Sequence, residues 1–307
     1  MRMTKRFEKR KCLTGQTGVP DEDSMRTINR RSFLGTSAAL LPSLLLAAEN
    51  GGLDAVFYNG NILTVDAGFR RVEAFAVLRD RIAVVGSSAE MLALAGNKTR
   101  KIDLQGKTVL PGIIDTHAYP VMAAMYELRF VRPGICHGNF MFPGAWDAIK
   151  SIDAVIDMQP AWLYLDGATL FDHFGEKRMK WFQPYRTLLD NKVRIGGGSD
   201  HIFKIEPERA INLYNPFLGI WTVLARSPRW TDRILTPDQK MSREEAIRFY
   251  TLDSAYVLRC EKKRGSLEPG KLADFIVIDR DILRCPIDDV RETKVLETWL
   301  GGKKIAF

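Results

Sequence analysis

Cysteine and histidine are both scarce in these 307 residues, with four of each. Cys12, Cys136, Cys260 and Cys285 are widely separated and no pair is spaced C-x-x-C. That excludes a disulfide framework and a zinc knuckle. Cys136, beside His137, reads as a small buried residue on a strand rather than half of a ligand pair. Phosphate-loop signatures are missing too. Ile195-Gly196-Gly197-Gly198-Ser199 is rich in glycine, but no Lys-Ser/Thr follows at Walker spacing and there is no G-x-G-x-x-G. A nucleotide-binding α/β protein therefore has only a glycine run behind it. No repeat at solenoid spacing and no low-complexity tract occurs. Nor is there a basic surface: of the net charge of +8, the first 31 residues supply +5, with nine Lys/Arg against four Asp/Glu. The remainder, about +3, is too little to argue for a nucleic-acid partner.

What is present is an ordinary globular composition, 46% apolar and 27% charged, behind a distinctive leader. Arg30-Arg31-Ser32-Phe33-Leu34 opens an uncharged run that continues to Ala48. A basic region, a short apolar stretch and small residues at its end make a secretory signal. Arg30 and Arg31 followed by Phe-Leu resemble a twin-arginine signal, whose partner is the export machinery for folded proteins. The run falls short of the ~20 residues that span a bilayer and contains Pro42. Residues 1–48 are thus a leader, with cleavage near Ala47 or Ala48 and a periplasmic product; an uncleaved membrane anchor is the alternative. Met25 offers a second start just before the signal.

After the leader the pattern is strand-rich. Residues 54–58 and 62–65 flank Asn59-Gly60, a two-residue hairpin signal. Residues 74–78 and 81–85 flank another tight turn, and 295–300 and 303–307 bracket Gly301-Gly302. Both ends of the mature chain therefore read as parts of one small β-domain. Between them, short apolar runs at 109–115, 135–139, 154–159 and 193–197 alternate with helical stretches, the texture of βα units. Helices are expected at 146–152, 184–189 and 242–258, the last opened by the capping box Ser242-x-x-Glu245.

Chemistry-bearing residues stand where these strands end. Leu110-Pro111-Gly112-Ile113-Ile114-Asp115-Thr116-His117-Ala118-Tyr119 puts His117 and Tyr119 on one side of an extended chain. Ile135-Cys136-His137 ends in a second histidine, Asp157-Met158-Gln159-Pro160-Ala161-Trp162 in a Gln-Pro, and Gly198-Ser199-Asp200-His201 in a carboxylate. Together with Gly265-Ser266-Leu267-Glu268-Pro269-Gly270-Lys271-Leu272-Ala273-Asp274-Phe275, the first and last of these resemble the amidohydrolase superfamily. Within it, the chain resembles the branch of N-substituted formamide deformylase and related N-acyl hydrolases. The resemblance runs from about Leu53 to Phe307.

That resemblance implies a (β/α)₈ barrel with a small β-sandwich built from segments on either side. The expectation here is α/β: a sandwich from 49–108 plus 265–307, and an incomplete TIM-type (β/α) barrel at 109–264. It also implies a divalent metal, usually zinc, held by His-x-His, a middle-strand Lys or acid, later histidines and a last-strand Asp. Carried across, His117, His137 and Asp200 are the metal ligands and Asp200 the catalytic proton shuttle. The substrate would be a small amide or N-acyl compound touched by Tyr119, Trp162 and His201, and a homo-oligomer is compatible.

Three positions depart from the family pattern. Tyr119 replaces the second His of His-x-His, Trp162 stands where the branch often has His after Gln-Pro, and no middle-strand ligand aligns. His117 and His137 are only 20 residues apart. The 150 residues from 109 to 258 compare with ~250 for eight units, enough for about five. The chain is internally shortened. Two readings follow: an exported C–N hydrolase using metal-activated water, or a truncated, non-catalytic relative with a degraded site.

Overall fold

The computed structural model describes residues 52–116, 133–200 and 214–306. Its first part holds β1 (Ala55–Tyr58), β2 (Asn61–Leu63), β3 (Arg71–Val72), β4 (Ala74–Leu78), β5 (Arg81–Gly86), α1 (Ser88–Leu94), β6 (Arg100–Asp103) and β7 (Thr108–Pro111). The middle holds β8 (Gly134–Cys136), α2 (Ala145–Ser151), β9 (Val155–Met158), α3 (Ala161–Met179), α4 (Tyr185–Asp190) and β10 (Arg194–Gly197). The last part holds α5 (Pro216–Ala225), α6 (Arg243–Phe249), α7 (Leu252–Val257), β11 (Phe275–Ile278), β12 (Val295–Leu300) and β13 (Lys303–Lys304). The fold is mixed α/β.

Two sheets come from the ends of this region, ordered β5-β4-β1-β6 and β13-β12-β11-β7-β2-β3. Strand alternation explains their packing. Phe57, Phe75, Ile62, Val109, Phe275, Val277 and Trp299 share one buried cluster between the sheets. Phe57 stacks on Phe75 at 4.7 Å and meets Phe275 and Trp299 edge-on at 5.1 and 4.9 Å. The intervening residues Leu63, Leu110, Ile276 and Ile278 face the opposite way into a second cluster with the helices. The central strands β7 and β11 of the six-stranded sheet are thus a partition buried on both faces, which is why they read as apolar runs, while β3, β12 and β13 toward its edges are largely exposed.

On the far side of that partition, β8, β9 and β10 form a parallel sheet in the order β10-β9-β8. Helix α2 joins β8 to β9, and α3 with α4 joins β9 to β10. Ile156, Met158 and Ile195 pack toward Trp146, Ile149, Tyr185, Leu188 and Phe249. After β7 the chain continues past β10, where the Thr116 N–H donates to Gly197 O at 3.1 Å.

Several elements differ from expectation for identifiable reasons. Asn59-Gly60 is a turn, with Asn59 left-handed at φ 57°, but not a hairpin: β1 and β2 enter different sheets. A Cβ on Gly60 would lie 2.5 Å from Leu104 Cδ1, so the close crossing between sheets needs glycine. The run at 109–115 is strand only through Pro111 and pairs antiparallel with β11 in the partition. The helix expected at 242–258 is two, because Thr251 (φ −130°, ψ −93°) breaks it; its capping box is present. The longest helix among the described residues, α3, was not expected. It starts directly after Pro160, and Gly175 (φ 70°) interrupts it, so no continuous apolar stripe marks it.

Candidate functional site

The parallel register sets the site. Cys136 pairs with Asp157 and Asp157 with Gly196, so the residues following β8, β9 and β10 gather at one rim. These are His137, Gln159 and the Ser199-Asp200 pair. The chain leaves two of the strands through left-handed residues, His137 at φ 69° and Asp200 at φ 54°. Non-glycine residues take this conformation rarely, and such local strain concentrates at functional sites. Gly138, at φ 51°, has no alternative, since a Cβ there would sit 2.5 Å from Ile156 Cγ2.

The polar groups at this rim are linked. His137 Nδ1 lies 2.7 Å from Gln159 Oε1 and 3.7 Å from Asp200 Oδ2. The Gln159 side-chain amide donates to Asp157 Oδ1 at 2.8 Å, and the Thr116 hydroxyl donates to the same oxygen at 2.5 Å. Trp162 Nε1 donates to Asp200 Oδ2 at 3.0 Å, and its ring meets the His137 ring edge-on at 6.0 Å. Asp115 Oδ1 accepts from the Ser199 N–H at 2.9 Å. Gln183 anchors the network from behind, donating to Gln159 O at 2.8 Å and Asn139 Oδ1 at 2.9 Å.

Burial is graded. Gln159 is fully buried, Asp157 and Ser199 nearly so, while about a third of the His137 side chain is exposed. Tyr250 packs behind the Gly-Ser-Asp turn, and burial first, then the neighbouring Tyr185, Asp115 and Asp157, keeps its phenol protonated far above the usual range. Cys136 corrects the sequence reading: it is exposed, because β8 has a strand partner on one side only among the described residues. Partial burial and the negative charges of Asp157 and Asp200 push its thiol up, away from a reactive thiolate.

Of the residues singled out from sequence, His137, Trp162 and Asp200 meet at this rim. His117, Tyr119, His201, Arg30 and Arg31 lie outside the described residues. Thr116, Asp157 and Gln159 were assigned no role from sequence. The available signal was Asp157-x-Gln159, two polar residues at period two in an otherwise apolar strand, hence on one face.

His137 and Asp200 are chemically suited to a divalent metal, as an imidazole and a carboxylate side by side. They are two donors, where a catalytic zinc site takes three. Among the described residues no group of three or more His, Cys, Asp or Glu side chains is arranged to hold a metal ion.

Comparison with known proteins bears on the family and the fold. N-substituted formamide deformylase of Arthrobacter pascens is 34% identical over 128 residues, 42% of this chain and 22% of that protein. Protein LONG AFTER FAR-RED 3 of Arabidopsis thaliana is 28% identical over 217 residues, 68% of this chain and 36% of that protein. The chain therefore spans well under two thirds of either relative. A metal-dependent hydrolase of uncharacterized function from Pyrococcus furiosus superposes with a TM-score of 0.59 at 14% identity, covering 75% of this chain and all of that one. At that identity the likeness speaks for the fold. The amidohydrolase family pattern matches residues 123–306, more than half of the sequence, and the chain belongs to that family.

Proposed function

We propose that the protein acts as a hydrolase of C–N bonds in small amide or N-acyl compounds. The observation that carries this reading is the meeting of His137 and Asp200, 63 positions apart, at the C-terminal rim of parallel strands. In βα folds that rim is where chemistry resides. The three parallel strands and the segment at 112–116 are read as part of an incomplete (β/α) barrel, a reading supported by the strand order and the family match.

In this mechanism His117, His137 and Asp200 would hold a divalent metal, with zinc the proposed ion. Such an ion, when bound, lowers the pKa of water and polarises a carbonyl. The protein's own residues do the rest. Asp200 takes the proton of the attacking water and returns it to the departing nitrogen, giving a carboxylic acid and an amine. Trp162, through its indole N–H, fixes the orientation of the Asp200 carboxylate. Tyr119 and His201 are proposed to contact the substrate. The Arg30-Arg31 leader makes twin-arginine export to the periplasm the proposed route.

One observation favours the second reading, a non-catalytic relative. Trp162 occupies Asp200 Oδ2, the carboxylate oxygen next to His137, with an indole donor. Metal analysis of the purified protein decides between them. Near-stoichiometric zinc that is lost in both His117→Ala and Asp200→Ala supports the hydrolase; folded, soluble protein without zinc refutes it.

A further inference from the structure

The geometry points to Gln159 as the positioning residue that holds the His137 ring in a single tautomer, with the proton on Nδ1 and the lone pair on Nε2. The argument follows proton by proton from the buried end of the network. An ionised carboxylate only accepts hydrogen bonds. Asp157 Oδ1 already receives the Thr116 hydroxyl, and the Gln159 amide faces the same oxygen at 2.8 Å. The end of Gln159 that faces Asp157 must therefore be the NH₂, which turns Oε1 toward His137. An amide oxygen carries no proton, so the 2.7 Å contact requires His137 Nδ1 to be the donor. Nε2 of the neutral ring then carries no proton and can only accept.

Turning the amide over would set its oxygen against the carboxylate and its NH₂ against the imidazole proton. Both contacts would be repulsive at a fully buried position. Rotation of the Gln159 backbone is opposed by Gln183, which donates to Gln159 O and is itself buried. Asp157 and Gln159 thus form a relay from a buried negative charge to the edge of the site. Its output is an imidazole presenting an acceptor, the form that a metal ion or a substrate N–H would require. That use of the lone pair rests on the function proposed above; the tautomer does not.

The test is ¹⁵N NMR of the chelator-treated full chain labelled at its four histidines, at alkaline pH where imidazoles are neutral, with His137→Ala to assign the signal. The wild-type His137 ring is expected as Nδ1–H over Nε2–H by about tenfold or more, the ratio a hydrogen bond of about 1.4 kcal/mol produces. Gln159→Met, which keeps length and loses both amide groups, should bring that ratio to about 3:1 or below. The double variant Asp157→Asn/Gln159→Glu, which keeps an acceptor toward Nδ1 and exchanges donor and acceptor at the 2.8 Å contact behind it, should restore it. A wild-type ring protonated on Nε2 overturns the inference without any variant. An unchanged ratio in Gln159→Met overturns it as well, and would assign the tautomer to Asp200 instead. Because metal is removed throughout, absence of zinc binding would defeat the hydrolase reading and leave this result standing, and the reverse also holds.

Discussion

Arg226 offers a sharp test of how the part of the fold carrying the site is held together. It is fully buried, closes α5 in a left-handed conformation at φ 56°, and has no carboxylate within ion-pairing distance among the described residues. Its guanidinium instead donates to Leu235 O at 2.8 Å, Gln183 O at 2.9 Å, Phe182 O at 3.2 Å and Thr236 Oγ1 at 2.6 Å. One side chain thereby ties the end of α5 to two loops, and one of those loops contains Gln183, the anchor of Gln159. Burial lowers the guanidinium to about 10, with Tyr185 and Asp238 opposing the drop, so it is charged at neutral pH. That net lowering corresponds to roughly 3 kcal/mol against the charged form. Hydrogen bonds from a charged donor contribute ~1.5–3 kcal/mol each, so the four outweigh it. Arg226→Met keeps the aliphatic stem but strands three carbonyls and a hydroxyl, and should destabilise the protein by ~3–5 kcal/mol. Arg226→Lys keeps the charge but cannot span all four acceptors, and should lose about 2 kcal/mol. Urea denaturation measures both: at an m-value of ~3 kcal/mol/M the Met variant should shift the midpoint by more than about 1 M. A shift below ~0.3 M for Arg226→Met would refute the reasoning.

Three further outcomes follow from the same packing. A Cβ on Gly219 would fall 2.0 Å from Tyr250 Oη, so Gly219→Ala should cost about 1–3 kcal/mol despite the better helix propensity of alanine, measured by thermal unfolding. Glu90 closes the capping box on α1, and hydrogen bonds from the Ser87 backbone and hydroxyl hold its carboxyl below the usual value. A lowered folded pKa gives stability that is present above the unfolded pKa and lost as pH falls through the folded one. The stability difference between wild type and Glu90→Ala should therefore shrink as pH drops below about 4.5, and a pH-independent difference would contradict the cap. Cys136 is exposed but its thiol is pushed up, so it should alkylate more slowly than a free cysteine at neutral pH, and faster once Asp200→Asn removes one of the charges responsible. Peptide mapping after timed iodoacetamide treatment reads both rates.

The division between what was legible in the sequence and what was not follows the range of the forces. The caps at Ser87 and Ser242 and the hairpins at 74–86 and 295–304 depend on neighbours a few residues away. Of these, the Ser242 cap and both turns could be read directly. The family motif was legible too, since it lies in short continuous runs, and His137, Trp162 and Asp200 do meet. The sequence could not tell that β1 and β2 part into different sheets, because that is decided by pairing with distant strands, β1 with β4 and β6 and β2 with β3 and β7. Nor could it show that β7 belongs to the partition, since the long-range pairing of Val109 with Val277 decides that. Most consequential is Trp162. From sequence it was a bulky residue in a ligand's place, an apolar wall. In the folded protein its one polar atom finds Asp200, and the buried pair Asp157 and Gln159 reaches His137 from the other side. Composition and spacing determine which polar groups the chain owns. Only tertiary structure, by removing water from around them, decides which group each must satisfy.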